Sequence, residues 1–455
     1  MKKKVLLSVV LLFALVLAAC APEAAPAEEA APAEEEAMEE EAPAEEEEVA
    51  PAEEEAMEEE AVACTPVECP ADDAAAMPVA DVQAVCDADD YGCAVIPAGE
   101  TVKIGMGSPM TGGDSAFGID AENSGLLAVA DACPFAGFNF ELVAEDDGGL
   151  ADGGAAVANK FVADPTVVAV AGHLFSGASA AAAVIYEEVG IPMLSPSATA
   201  PFLTEEGWDV FNRVPFTDGA AAKASADYLF NELGLTKAAI LHDGEDYGKS
   251  LTTLFDAAFK EVGGEVVYFD AITSKEADYS PVLATIAALE PDVLFFGGYT
   301  QDGSVLTNQM KTTGLEDAVF FGCDGTYGVD FLDRAGENAE GTFHTIPKAA
   351  EVTDAQKRFD TCYMEAYGIA AKELSPYSYN SYDATTALIM LTKELAMLGD
   401  DGSLYVPRGA LVTAVRNLDG YEGIGNIITC DEVGECNALG MVIVEVVDGE
   451  FVPVN

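Results

Sequence analysis

From Thr101 onward the chain alternates between short apolar runs and longer stretches whose apolar residues recur at helical spacing. The apolar runs predict strands over Val102–Met106, Phe138–Ala144, Val167–Ala171 and Pro192–Leu194. A second series follows over Ala238–Leu241, Glu265–Phe269, Val293–Phe296 and Val319–Gly322. Between them, Gly118–Ala132, Ala155–Ala163, Ala178–Val189, Ala220–Leu233, Lys249–Val262 and Pro281–Leu289 read as amphipathic helices. Strand and helix in alternation at this spacing build parallel sheets covered by helices on both faces. Eight strands suit one large sheet or two smaller ones. The stretch Phe211–Gly219 lies between the two series and reads as a crossover, which favours two α/β lobes. Three further helices are predicted at Thr353–Tyr367, Tyr377–Leu398 and Pro407–Leu418, and some must return to the first lobe if the chain crosses more than once. Met441–Val447 and Glu450–Val454 flank Asp448-Gly449 and predict a terminal β-hairpin.

Composition narrows the partners. The 455 residues, half of them hydrophobic, suffice for a sizeable core. With 81 acidic residues against 20 basic ones and a net charge of −61, the chain lacks the clustered cations that nucleic acid requires. The same imbalance argues against docking of the protein surface on anionic lipid. Three histidines, and no closely spaced pair of CxxC-like motifs, argue against a metal centre, and no cofactor is called for. In the folded part the acidity reads as a solvating surface rather than a device that steers a cationic ligand.

The N-terminus carries Lys2, Lys3 and Lys4, then an apolar run from Val5 to Ala19, shorter than the ~20 residues of a membrane-spanning helix. It ends in Leu17-Ala18-Ala19-Cys20, which resembles the bacterial lipobox. That resemblance implies a signal peptide at 1–19, cleavage before Cys20 and a lipid on its thiol, so that the mature protein is exported and touches the membrane only through the anchor. Residues 21–62 contain 19 Glu and no Lys or Arg, and repeat PAEEEAMEEEA at Pro32–Ala42 and Pro51–Ala61. Such a segment repels itself and has no apolar face to bury, so with Cys20 it reads as a disordered spacer; an acidic tail for a specific partner is the alternative.

Ten cysteines in an exported chain point to disulfides. With Cys20 lipidated, at least one of the other nine is unpaired. Cys86 and Cys93 bracket a turn-rich DADDYG, Cys430 and Cys436 bracket DEVGE, and both read as local staples. Cys64 and Cys69 are expected to pair across a proline-containing loop; Cys133, Cys323 and Cys362 are unassigned.

In open α/β sheets, ligands sit beyond the carboxyl ends of the strands. That rule selects Phe117 after the first strand, Ser176 after the third, and Ser197 and Thr199 after the fourth. In the second series it selects Tyr247, Tyr299 and Asp324. Hydroxyls and backbone N–H groups at a helix start suit a carboxylate, an acidic side chain suits an ammonium, and the aromatics supply apolar walls. The set suits a zwitterionic amino acid. Singly, Ser176 and Thr199 also fit helix caps, the tyrosines packing, and Asp324 a turn.

Six ordered segments carry a resemblance: VKIGMGSPMTGGDSAFG (Val102–Gly118), VVAVAGHLFSGAS (Val167–Ser179), IPMLSPSATAPFLT (Ile191–Thr204), AAILHDGEDYGKSL (Ala238–Leu251), VLFFGGYTQDG (Val293–Gly303) and FFGCDGTYG (Phe320–Gly328). The chain from about Val102 to its C-terminus resembles the type I periplasmic binding proteins that serve as branched-chain amino acid receptors of ABC importers, with YSYNSYDATTAL (Tyr377–Leu388) as the returning long helix. The resemblance implies two Rossmann-like lobes joined by a three-crossover hinge, a Venus flytrap that closes on its ligand. By position it implies a 63–100 extension, a first lobe over 101–216 and 347–420, a second over 217–346, and C-terminal strands over 421–455 in the second. It implies that Ser176 and Thr199, with backbone groups at Ser197 and Ala198, hold the α-carboxylate, that Asp324 meets the ammonium, and that Phe117, Tyr247 and Tyr299 line the pocket. Partners would be a membrane permease and its ATPase. Many relatives carry a disulfide between positions that here hold Gly148 or Gly149 and Phe175, so that bond is absent and Phe175 stands where it would narrow the pocket.

Two other classes are weaker. A sensory receptor for a related amide or carboxylate, working through a signalling partner, shares every feature above. An enzyme could pair His173 with Ser176 or His242 with Asp243, but Ser176 lacks the G-x-S-x-G elbow. GMGSPMTGG matches neither phosphate-binding glycine pattern, and Asp146–Gly154 misses EF-hand spacing.

Overall fold

Two sheets with the same strand order organise the chain. The computed structural model describes residues 63–69, 81–348, 350–436 and 439–454. In lobe 1 five parallel strands run in the order Phe140–Asp146, Val102–Ser108, Val167–Val170, Met193–Ser195, Phe211–Arg213. In lobe 2 the parallel part runs Glu265–Ala271, Lys237–His242, Val293–Gly297, Val319–Phe321, Phe343–Pro347. Each lobe is thus second, first, third, fourth, fifth, a doubly wound order with its switch point between first and third strands. Central strands such as VVAV at Val167–Val170 and VLFFG at Val293–Gly297 are buried at every position, as sheets covered on both faces require. The predicted terminal hairpin forms and extends the second sheet, Met441–Val447 pairing antiparallel with Phe343–Pro347 and with Glu450–Pro453.

The described segments alternate between lobes, with 102–213 and 354–436 in lobe 1 and 237–347 and 441–453 in lobe 2, which takes three crossings. Helices Asp354–Tyr367, Ser378–Leu395 and Arg408–Arg416 belong to lobe 1, the long one packing against Ser115–Asp131. Asp120 on that last helix anchors the return: buried, and pushed by burial to about 6, its carboxylate accepts hydrogen bonds from Ser375, Ser378 and Tyr363. Among the described residues, no helix is long and apolar enough to cross a membrane.

Several expectations need correction. Phe211–Gly219 is not wholly a crossover, because Phe211–Arg213 forms the fifth strand of lobe 1. The helix predicted to reach Leu398 stops at Leu395; Met397–Leu398 instead pairs with Leu404–Pro407, which also pairs with Cys93–Ile96. Phe343–Pro347 escaped notice because FHTIP has a polar centre, yet His344 is fully buried, its nitrogens 2.8 and 3.1 Å from the Thr326 and Thr342 hydroxyls. The span 421–455 does not join lobe 2 as a whole. Its loop Cys430–Cys436 lies along the edge of lobe 1, with Arg213 N–H donating to Gly434 O and Cys436 N–H to Arg213 O, both at 3.0 Å. The cause is the Arg213 guanidinium, fully buried and satisfied by Glu435, Thr204 and the Ala198 and Ala200 carbonyls.

Disulfides join Cys86 to Cys93 and Cys430 to Cys436. The expected Cys64–Cys69 pair does not form: Cys64 bonds Cys362 and Cys69 bonds Cys133. Residues 63–69 contain no helix or strand and run along lobe 1, where Arg358 donates to Thr65 O, so neither cysteine folds back on the other. Cys323 is free and buried. Cys20, the signal segment and the 20–62 spacer lie outside the described residues.

Candidate functional site

The carboxyl ends of the two sheets face one another across a cleft. Six of the eight sequence-selected residues line a single cavity there: Phe117, Ser176 and Ser197 from lobe 1, and Tyr247, Tyr299 and Asp324 from lobe 2. Leu174, Phe175, Gly325 and Tyr377 complete it.

Lobe 1 offers hydroxyls at a helix start. Ser176 opens the helix Ser176–Glu187, whose first N–H groups have no partner within the helix, and its Oγ accepts a long bond from Ala200 N–H at 3.3 Å. Ser197 lines the cavity, but its hydroxyl donates to Leu174 O at 2.7 Å. Ala198 and Thr199 stand behind the lining rather than in it. The Ala198 N–H donates to Ser195 Oγ at 3.0 Å and Ser197 N–H points to the same atom at 3.4 Å, so these backbone groups are already engaged. Thr199, by contrast, is buried beside Asp218, whose N–H donates to Thr199 O at 3.0 Å and whose carboxylate has the Thr199 hydroxyl as a neighbour.

Lobe 2 offers a carboxylate clasped by phenols. Asp324, only 4% exposed, accepts from Tyr247 OH at 2.7 Å on one oxygen and from Tyr377 OH at 2.8 Å on the other. Burial pushes its pKa up and the two hydroxyls pull it back. Tyr377 belongs to lobe 1, so Asp324 is bonded from both sides of the cleft. At the rim, Gln301 N–H donates to Asp114 at 3.0 Å and Arg334 to Gly113 O at 2.9 Å, further links between lobes.

Two residues went unnoticed in the sequence. Tyr377 reads only as the start of a long helix; its place follows from the Ser375 and Ser378 bonds to Asp120 on either side of it. Asp218 sits in the crossover, in the first turn of an Ala-rich helix. It is fully buried, with the Thr199 and Ser250 hydroxyls as its hydrogen-bonding neighbours, though neither approaches within a short hydrogen bond. Burial pushes its pKa to about 7; the Thr199 hydroxyl pulls it down and the neighbouring Asp324 charge raises it. A lone Asp opening an apolar helix at a lobe crossing is the signal that would have found it. Asp218 does not line the cavity, but a buried carboxylate near Asp324 adds to the negative potential there.

The histidines have other duties. His173 is fully buried, Nδ1 at 2.7 Å from Asp147 and Nε2 at 3.0 Å from Tyr186 OH, leaving no nitrogen for Ser176. The Asp147 bond, with Gly149 N–H donating to the same carboxylate at 2.8 Å, ties the two loops that border the cavity in lobe 1. His242 Nδ1 accepts from Gly244 N–H at 3.1 Å and makes no bond to Asp243. Among the described residues no cluster of His, Cys, Asp and Glu is arranged to hold a metal.

Two doubly wound lobes, three crossings and a polar cleft between carboxyl strand ends define a solute-binding protein of the two-lobed kind. Residues 101–450 match the periplasmic binding protein family, and the chain belongs to it. It is similar to the Leu/Ile/Val-binding protein of Escherichia coli (strain K12), 32% identical over 261 residues that cover 57% of this chain and 71% of the relative. Leu/Ile/Val-binding protein homolog 3 of Brucella melitensis is 28% identical over 354 residues, 77% of this chain and 93% of the relative. Among solved structures, a leucine-binding protein of Thermotoga maritima superposes with a TM-score of 0.70 at 26% identity, covering 78% of this chain and 98% of that one. The type I periplasmic binding fold and the role of a solute-binding receptor outside the cytoplasm follow.

Proposed function

We propose that the protein binds an α-amino acid with an apolar side chain between its lobes and delivers it to the permease and ATPase of an ABC importer. The observation that carries this reading is the polarity of the cleft: hydroxyl and helix N-terminus on one wall, a phenol-clasped carboxylate on the other. The ligand carboxylate would meet Ser176 and the N–H groups opening its helix, with Thr199 close behind. The ammonium would meet Asp324, with Asp218 supplying a second negative charge. Phe117, Tyr247 and Tyr299 would shield the side chain. The relatives' names, which specify leucine, isoleucine and valine, support the same class. The ligand bridges both walls, so it stabilises the closed arrangement by its differential affinity for closed over open. Cys20 would carry the lipid that holds the receptor at the membrane, with the acidic spacer between.

Calorimetric titration of the purified protein with the common amino acids tests this. Sub-millimolar binding of apolar amino acids is expected; absence of heat with every one rejects the ligand class. Partition of the expressed protein into a detergent phase, lost on Cys20→Ser, tests the anchor.

A further inference from the structure

Phe175 is the largest apolar side chain of the cavity that the ligand contacts above leave unused. It precedes Ser176 directly, is 6% exposed, and projects from lobe 1 into the cleft. Its ring stacks on Tyr299 of lobe 2 with centroids 3.8 Å apart and 10° between planes, and meets Phe117 edge-on at 5.7 Å. The backbone is shaped to receive it. Gly149 has φ +71°, and a Cβ there would stand 2.5 Å from Phe175 Cδ2, so the ring and any side chain at position 149 exclude one another. With the ring in this place the space left among the lining residues is ≈ 10 Å³, at the lower limit for a single water molecule, so any amino acid must displace the ring and a longer side chain must displace it further.

We propose that Phe175 sets the upper size limit of the ligand side chain, so that the site favours short side chains, those of alanine, threonine and valine, over leucine and isoleucine. The inference rests on the amino-acid reading above and specifies it. The ring lies flat against Tyr299 in the same cavity that Ser176 and Asp324 line from opposite lobes. A ligand that bridges those two residues keeps its polar groups in place whatever its side chain, so its length must be accommodated against the ring. A short side chain needs the ring to shift part of the way, whereas a long aliphatic chain needs it to leave both Tyr299 and the recess at Gly149. In a hydrophobic pocket one methylene changes affinity roughly 10- to 200-fold, so a ring in this place is enough to invert a preference.

The test is calorimetric titration of the full-length mature protein, and of its Phe175→Ala and Phe175→Leu variants, with alanine, valine and leucine. The wild type should bind alanine and valine at least about tenfold more tightly than leucine, and Phe175→Ala should raise leucine relative to alanine by at least about tenfold. Phe175→Leu, which keeps most of the buried volume, should fall between. The ratio of two ligands on one protein is insensitive to the fraction of that protein folded, and the leucine variant keeps the test decisive if the alanine variant does not fold. A wild type that prefers leucine, or a leucine-to-alanine ratio equal in all three proteins, overturns the size limit while leaving the amino-acid reading intact. No binding of any amino acid to any of the three overturns both.

Discussion

The two lobes share a strand order and differ in what they present at their strand ends. Lobe 1 brings Ser176 and Ser197 on loops held from behind, the first by its helix and the second by Leu174 O. Lobe 2 brings Tyr247, Tyr299 and Asp324, and clasps the carboxylate with a phenol of its own and one from lobe 1. The same architecture, repeated, yields walls of opposite electrostatic preference. A ligand with both charges engages each wall with the group that wall favours; a ligand with one charge leaves the other wall unpaired in a desolvated cleft. Asp218 stands between the two: its N–H donates to Thr199 O of lobe 1, and it lies near enough to the Asp324 charge for that charge to raise its pKa.

Removing the charge of the second wall should have the largest effect. Asp324→Ala is expected to weaken amino-acid binding well beyond tenfold, by about 2–5 kcal/mol, since a buried ammonium loses its partner; an unchanged calorimetric affinity would remove Asp324 from the site. Asp218→Asn comes next. With its carboxyl at about 7, wild-type affinity should fall as pH drops below neutral and the group takes up a proton, because the protonated form no longer attracts an ammonium. The variant should bind more than tenfold more weakly at pH 8 and lose most of that pH dependence; an identical pH profile would place Asp218 outside recognition. Ser176→Ala, on the first wall, deletes one hydrogen bond to a charged group and should cost about 1.5 kcal/mol, roughly tenfold.

The smallest effect is on stability. Asp218 and Asp383 at about 7 and Asp243 at about 8, all raised chiefly by burial, hold protons in the folded state that the unfolded chain has released above pH ~4. The folded state thus binds more protons than the unfolded one, so stability should fall as pH rises from 6.5 to 8. His344, held down to about 3, acts the other way only below its unfolded value of ~6.5. Thermal melts should show a midpoint lower at pH 8 than at 6.5 by at least about 2 °C; a higher midpoint at pH 8 would contradict the burial of these carboxyls.

The comparison also separates what the sequence could disclose from what it could not. Fully apolar strands such as Val167–Val170 and Val293–Gly297 announce themselves, and residues just past their ends inherit a place in the cleft. Six cavity residues were therefore legible. Tyr377 and Asp218 were not: Tyr377 reaches the cavity from the start of a lobe 1 helix that follows no strand, and Asp218 lies behind the lining at a chain crossing, so the place of each depends on lobe packing rather than on local pattern. The resemblance implied a ligand contact for the Ala198 backbone; here its N–H donates to the hydroxyl of Ser195, the last residue of the preceding strand, a local bond that the resemblance did not disclose. The Cys64 and Cys69 partners are 298 and 64 residues away, beyond the reach of any loop argument.

The most direct test of a cleft with two opposed walls uses one ligand and its two halves. Valine, 3-methylbutanoate (which lacks the ammonium) and 2-methylpropylamine (which lacks the carboxylate) should be titrated into the same protein at pH 8. Binding of valine with at least a hundredfold loss for each half, on the order of 3 kcal/mol, is the predicted result. Either half binding as tightly as valine would show that one wall takes no part.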